Sequence, residues 1–157
     1  SNMSKIASRI DELGIELPTA ASPAANYVPY VLSGNQVVIA GQIPFWNGEL
    51  TGLGKLGSNL SVDEGAKIAR VCGLNLLAQL KVACGGDLDR VSQVVKLGGF
   101  VNCIDSFTEQ PEVINGASDL MVEIFDDIGR HARFAVGVGS LPRGVAVEVD
   151  GVFELHN

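Results

Sequence analysis

Positive charge is scarce in this sequence and nowhere gathered. Eleven Lys and Arg stand against eighteen Asp and Glu, a formal net charge of -7 with a sequence pI near 4.7. Such a balance repels a phosphate backbone. Its densest basic stretch is the thin group Arg130, His131 and Arg133, so nucleic acid is not expected as a partner. Long apolar runs are also missing. None approaches the roughly 20 residues that a membrane span needs, and no basic-then-apolar order marks a secretion signal. No membrane partner is expected, and the expected location is cytoplasmic. Cysteine is sparse: Cys72, Cys84 and Cys103 are odd in number and form no CxxC or His-paired spacing. They read as buried free thiols of a reducing compartment rather than a metal site. There is no Ser-His-Asp order, HExxH, Walker loop or GxGxxG. With only two histidines, one of them at position 156, histidine-based catalysis is not expected.

What is present suits one compact domain. A chain of 157 residues can bury most of its apolar surface without disulfides or metals. A hydrophobic share of 46% beside 18% charged excludes disorder and, in a chain this small, points to self-association. Ser1-Asn2 before Met3 reads as a scar of tag removal. Residues 1–21 are therefore assigned to scar, short helix and arm, and 22–157 to the domain. Ile6, Ile10 and Leu13, stopped by Gly14, predict a short amphipathic helix. Pro18 to Pro29 reads as an extended arm.

Two β-runs around Gly34-Asn35 predict a hairpin over Tyr30 to Ala40. The glycine-dense stretch from Phe45 to Asn59 reads as a loop. Ser61-Val62-Asp63-Glu64 has the order of a capping box and opens a long helix to Cys84, ended by Gly85-Gly86. Val91 to Cys103 reads as a strand, with Gly98-Gly99 marking a bulge or a close backbone approach. Pro111 starts a second helix to about Phe125. Ala132 to Gly139 and Val145 to Leu155 read as a terminal strand pair joined across Leu141-Pro142-Arg143-Gly144. The order predicts an α/β fold, an α+β two-layer sandwich with a mixed sheet and two long helices on one face. Val136, Val138, Val145 and Val147 fill both sides of their strands, so the other face needs an apolar cover, such as a trimer or dimer interface.

Two isolated charges stand out in the terminal strands. Arg133 lies in Ala-Arg-Phe-Ala-Val-Gly-Val, where a guanidinium needs an anion or water. Glu148 lies in Val-Ala-Val-Glu-Val, where burial would raise its pKa toward acid-base use. The structural alternatives are an edge arginine facing water, or an ion pair between Arg133 and Glu148. Tyr30 and Asn115 alone would be packing or capping residues.

The run Ala-Arg133-Phe-Ala-Val-Gly-Val-Gly-Ser-Leu-Pro142-Arg-Gly-Val-Ala-Val-Glu148-Val resembles the C-terminal signature of the YjgF family. These are the reactive intermediate deaminases, also labelled L-PSP endoribonucleases. Pro29-Tyr30-Val31, Ala40-Gly41-Gln42-Ile43-Pro44 and Asn115 extend the match over about residues 22 to 155. The spacing is similar to the extended YjgF/chorismate-mutase-like branch. The resemblance implies a homotrimer of chorismate-mutase-like fold with a cleft at each subunit interface, and no cofactor. There a 2-iminobutanoate/2-iminopropanoate deaminase-type hydrolase would convert 2-imino acids to 2-keto acids and ammonia. It also implies roles. Arg133 would clamp the substrate carboxylate through its planar fork and Glu148 would handle the attacking water. Tyr30, the Gly41 backbone and Asn115 would complete a pocket for a small carboxylate or imino-acid ligand. Two positions depart from the family pattern: Ala40 replaces a serine and Ala135 a cysteine. These departures keep open a non-catalytic trimeric binder of small carboxylates, and the family label keeps open a ribonuclease or translation inhibitor.

Overall fold

The structure, a computed structural model, describes residues 4–22 and 25–157. Ser1 and Asn2, read as a tag scar, and Pro23 and Ala24 of the arm lie outside the described residues. The elements in chain order are α1 (Lys5–Glu12), β1 (Tyr30–Ser33), β2 (Gln36–Gln42), β3 (Phe45–Trp46), β4 (Glu49–Leu50), α2 (Val62–Ala83), β5 (Val91–Asn102), α3 (Gln110–Phe125), β6 (Ala132–Val138) and β7 (Val147–Leu155). Five strands form a mixed sheet in the order β1-β2-β7-β5-β6. Only β5 and β6 run parallel.

That order corrects one expectation. β6 and β7 are not a hairpin, because β5 lies between them. The crossover through α3 returns β6 parallel to β5, and the chain must then pass the end of β5 to reach its far side. β5 holds both neighbours at that end: Asn102 N–H donates to Ala146 O at 2.8 Å and Cys103 N–H to Val138 O at 3.1 Å. Leu97 and Val101 on β5 are fully buried under the helices. Gly98-Gly99 is a close approach rather than a bulge. A Cβ at Gly99 would meet Ile114 side-chain atoms of α3 from 2.6 Å, and one at Gly98 the Phe134 ring at 2.6 Å. The register shifts lie earlier, between Val91 and Gln93 and between Val94 and Lys96.

Both long helices start and pack as their sequences dictate. Ser61 accepts from Glu64 N while the Glu64 carboxylate accepts from Ser61 N, a reciprocal cap of which the serine half alone contributes about 1 kcal/mol. On α3, Val113, Ala117, Leu120, Met121 and Ile124 form the buried stripe that their spacing predicts. The helices touch through small residues. A Cβ at Gly116 would overlap the Ala66 carbonyl, and one at Gly73 would sit 3.4 Å from Ala117 Cα.

The N-terminal segment is docked onto this sandwich. Asp89 accepts from Lys5 N at 2.9 Å and Ile6 N at 2.8 Å, satisfying donors that a helix start leaves open. Arg9 Nε donates to Glu123 O at 3.0 Å. The arm is held before Pro23 at two points: Thr19 N donates to Asn47 Oδ1 at 2.8 Å and Gln79 Nε2 to Ala21 O at 2.7 Å. The stretch read as a loop contains the β3-β4 hairpin. Asn47 and Gly48 have φ of 49° and 89°, the left-handed pair that a two-residue Asn-Gly turn supplies. No helix among the described residues is long and apolar enough to cross a membrane. The sheet face away from the helices carries exposed Val31, Val38 and Val136.

Candidate functional site

β7 alternates strictly. Val147, Val149, Phe153 and Leu155 are buried, whereas Glu148, Asp150, Val152 and Glu154 are not. The period of two puts Glu148 on the face opposite the helices, beside Phe100 of β5. There it presses on β2. The β2-β7 register shifts between Ile39 and Gln42, and a Cβ at Gly41 would fall inside the Glu148 carboxylate. A side chain at 41 would push the Glu148 carboxylate aside. Burial, and secondarily the charge of Asp150, pushes the Glu148 carboxyl above the ordinary carboxylate range. Asp150 is raised as well, chiefly by burial.

Glu148 and Gly41 line a cavity of about 510 Å³. Its walls come from the arm (Ala21, Ala25, Tyr27), the end of β2 and the residue after it (Gln42, Ile43), the β3-β4 hairpin (Phe45, Leu50) and the turn after β6 (Pro142, Arg143). Arg143 was not singled out from the sequence. It has φ 59° and ψ 15°, a left-handed backbone that costs a non-glycine residue about 1 kcal/mol or more. Its signal was the charge placed inside a turn beside Gly144, itself at φ 76°.

Arg133 stands opposite Leu97 in the β5-β6 register and therefore points toward the helices, at the sheet's edge strand. Its guanidinium is held: Nη1 donates to Ser118 Oγ at 3.0 Å and Nη2 to Pro111 O at 3.2 Å. Ser118 is also 2.9 Å from His131 Nε2, and His131 Nδ1 is 2.6 Å from Gly129 O. The carbonyl can only accept, so Nδ1 carries the proton and Nε2 receives the serine hydroxyl. Burial lowers the His131 pKa, with the Arg133 charge acting the same way and the Gly129 hydrogen bond opposing. Sequence reasoning set histidine aside, because a lone His131 has no motif; its partner, Ser118, lies on another element.

Of the five residues singled out, the chain brings together two pairs and leaves one apart. Gly41 and Glu148 touch. Asn115 is exposed on α3, on the stripe between Pro111 and Ser118 that holds Arg133. Tyr30 pairs with buried Ile39 and packs partly against the core. Arg133 and Glu148 face opposite sides of the sheet with β5 between them, so the ion pair weighed for them does not form. The place of the absent polar groups is visible too. Ala40 lies in the β2 bulge, and Ala135 shares the helix-side face of β6 with Arg133.

A mixed sheet with two helices on one face and a carboxyl-lined cavity defines the class, an α+β sandwich of the chorismate-mutase-like kind. The family described as YjgF/chorismate_mutase-like, putative endoribonuclease matches residues 7–149, and the chain belongs to it, as the Arg133, Leu141-Pro142 and Glu148 pattern implied. Protein TCP17 of Trypanosoma cruzi is 52% identical over 98% of this chain and 96% of its own length. A putative endoribonuclease from Shewanella oneidensis superposes with a TM-score of 0.92 at 39% identity, covering 96% of this chain and 99% of that one. Protein Atu1372 of Agrobacterium tumefaciens, of unknown function, gives 0.89 at 43% identity, covering 97% and 94%.

Proposed function

We propose that this protein hydrolyses 2-imino acids to 2-keto acids and ammonia at clefts completed between the copies of a homotrimer. One observation carries the reading. The chain presents a half-buried carboxyl at a cavity on one sheet face and a braced guanidinium on the other. Each is half of a site that a second copy would complete. The exposed valines of the helix-free face support an oligomer. Membership of the YjgF family supports the reaction class.

In this reading Arg133 of one copy takes the substrate carboxylate through two parallel N–H donors. Glu148 of the next accepts a proton from water as the water oxygen bonds to the imine carbon and the C=N electron pair moves onto nitrogen. The protonated Glu148 then returns its proton to that nitrogen. Glu148 next takes the hydroxyl proton of the resulting carbinolamine and passes it to the nitrogen as the C–N bond breaks, so that ammonia leaves and the carbonyl forms. A carboxyl pKa raised by burial suits a group that must take up and return protons in turn. Tyr30, the Gly41 backbone and Asn115 would wall the ligand. The three free cysteines are buried, which fits the cytoplasm, where we place the protein.

The test is ammonia or keto-acid release from imines generated by an amino-acid oxidase. Addition of the protein is expected to speed release, and Arg133→Ala to abolish the gain; full activity in that variant refutes the assignment. Calorimetric binding of 2-oxobutyrate without turnover of any imine would select a carboxylate-binding protein instead, the reading favoured by Ala40 and Ala135.

A further inference from the structure

The cavity beside Glu148 is much larger than the methyl group of 2-iminopropionate requires. At about 510 Å³ it lies in the range of ~300–1,000 Å³ that accepts drug-sized ligands. Its lining includes apolar Ala21, Tyr27, Ile43, Phe45 and Leu50 beside polar Gln42 and Gln79. Ala21 and Tyr27 belong to the arm, and the arm is anchored at Thr19 and Ala21. Buried Gln79 of α2 donates to Ala21 O, and Asn47, in the β3-β4 turn, accepts from Thr19 N. The hairpin is tied down in turn, since buried Asn75 of α2 donates to Phe45 O at 2.7 Å. Helix α2, the hairpin at Phe45 and the arm at Ala21 are thus tied together in the lining of the cavity that also holds the Glu148 carboxyl. The apolar part of that lining selects by burial of apolar ligand surface.

We infer that the arm and the β3-β4 hairpin form a side-chain pocket that makes bulky apolar 2-imino acids, of the leucine or phenylalanine type, the substrate class. This rests on the deaminase reading above. Each methylene buried multiplies binding about fourfold, so the three extra carbons of the leucine-derived imine predict about a fiftyfold gain in kcat/KM over the alanine-derived one. Ala21→Phe fills the pocket from the arm and leaves the Glu148 and Arg133 side chains themselves in place. It is expected to remove most of that gain while sparing the alanine-derived imine. Ala25→Leu narrows the same space and replaces it where Ala21→Phe does not fold.

The experiment measures kcat/KM for imines derived from alanine, leucine, phenylalanine and glutamate. In parallel, calorimetry measures binding of pyruvate, 4-methyl-2-oxopentanoate and phenylpyruvate, which needs no catalysis. Preference for the leucine and phenylalanine series, lost on filling the pocket, supports the inference. Equal or better use of the alanine-derived imine overturns it and leaves the deaminase reading standing. Preference for the glutamate-derived imine, abolished by Arg143→Ala, also overturns it, assigning the pocket to a second carboxylate. If no imine is turned over, the deaminase reading fails and the keto acids decide. Tighter binding of the bulky ones, lost in Ala21→Phe, keeps the apolar pocket; equal or absent binding removes it.

Discussion

A site shared between copies makes a prediction that no single-chain site can imitate. Arg133→Ala and Glu148→Gln proteins, each inactive alone, are unfolded together in equal amounts and refolded, so that copies assort at random. Each proposed cleft takes Arg133 from one copy and Glu148 from the next. In the mixture a cleft receives an intact arginine with probability one half and an intact glutamate with probability one half, so about one quarter of clefts are whole. Imine hydrolysis is then expected to recover to about a quarter of the wild-type rate per cleft. The expectation rests on the finding that within one chain the two side chains lie on opposite faces of the sheet. The background is low. Losing two charge-assisted hydrogen bonds to the substrate carboxylate costs about 3 kcal/mol or more, at least a hundredfold in kcat/KM. Rate measurement on the mixture, with size-exclusion chromatography confirming assembly, reads the outcome. Activity no greater than the sum of the two parents refutes the shared cleft.

Removing the charges of Glu148 and Asp150 tests their raised pKa values. A carboxyl with a folded-state pKa above its unfolded value adds stability below the unfolded pKa and loses it as pH rises through the folded one; Glu148→Gln with Asp150→Asn is therefore expected to melt higher than wild type at neutral pH, with the difference closing in acid. Gly116→Ala forces a methyl onto the Ala66 carbonyl and is expected to cost about 1–3 kcal/mol, lowering the melting temperature by roughly 2–10 °C. Ser118→Ala removes one brace of Arg133; KM for imino acids is expected to rise severalfold with kcat and melting temperature little changed, and rescue by Ser118→Thr separates positioning from packing.

Much of the fold was legible because its signals are local. The capping box at Ser61, the glycine stop after α1 and the Gly34-Asn35 turn each depend on a few neighbouring residues, and the structure has all three. The Asn47-Gly48 turn was equally local. It was hidden because β3 and β4 have two residues each, too short for an alternating pattern to register. What failed was pairing. Ala132 to Leu155 has the alternation of a hairpin, yet nothing in that stretch says that a strand thirty residues earlier must lie between its halves. That follows from β5, whose twelve residues are apolar enough to need neighbours on both edges.

The candidate residues were conspicuous in the sequence while their arrangement was not, for the same reason. Arg133 and Glu148 were conspicuous because each is a charge in an apolar strand, and alternation along each strand says whether a residue faces in or out. It does not say which way two strands are phased relative to each other. With β6 and β7 taken as neighbours, opposite charges fifteen residues apart looked free to pair. With β5 inserted, register places Arg133 beside Leu97 and Glu148 beside Phe100, and those two β5 residues point to opposite faces. A shift of one residue in either pairing would bring both charges to one face, where a bridge could neutralise them. The observed register keeps them apart, leaving the guanidinium braced by Ser118 and the carboxyl pressed on Gly41. Neither charge neutralises the other, because the sheet lies between them.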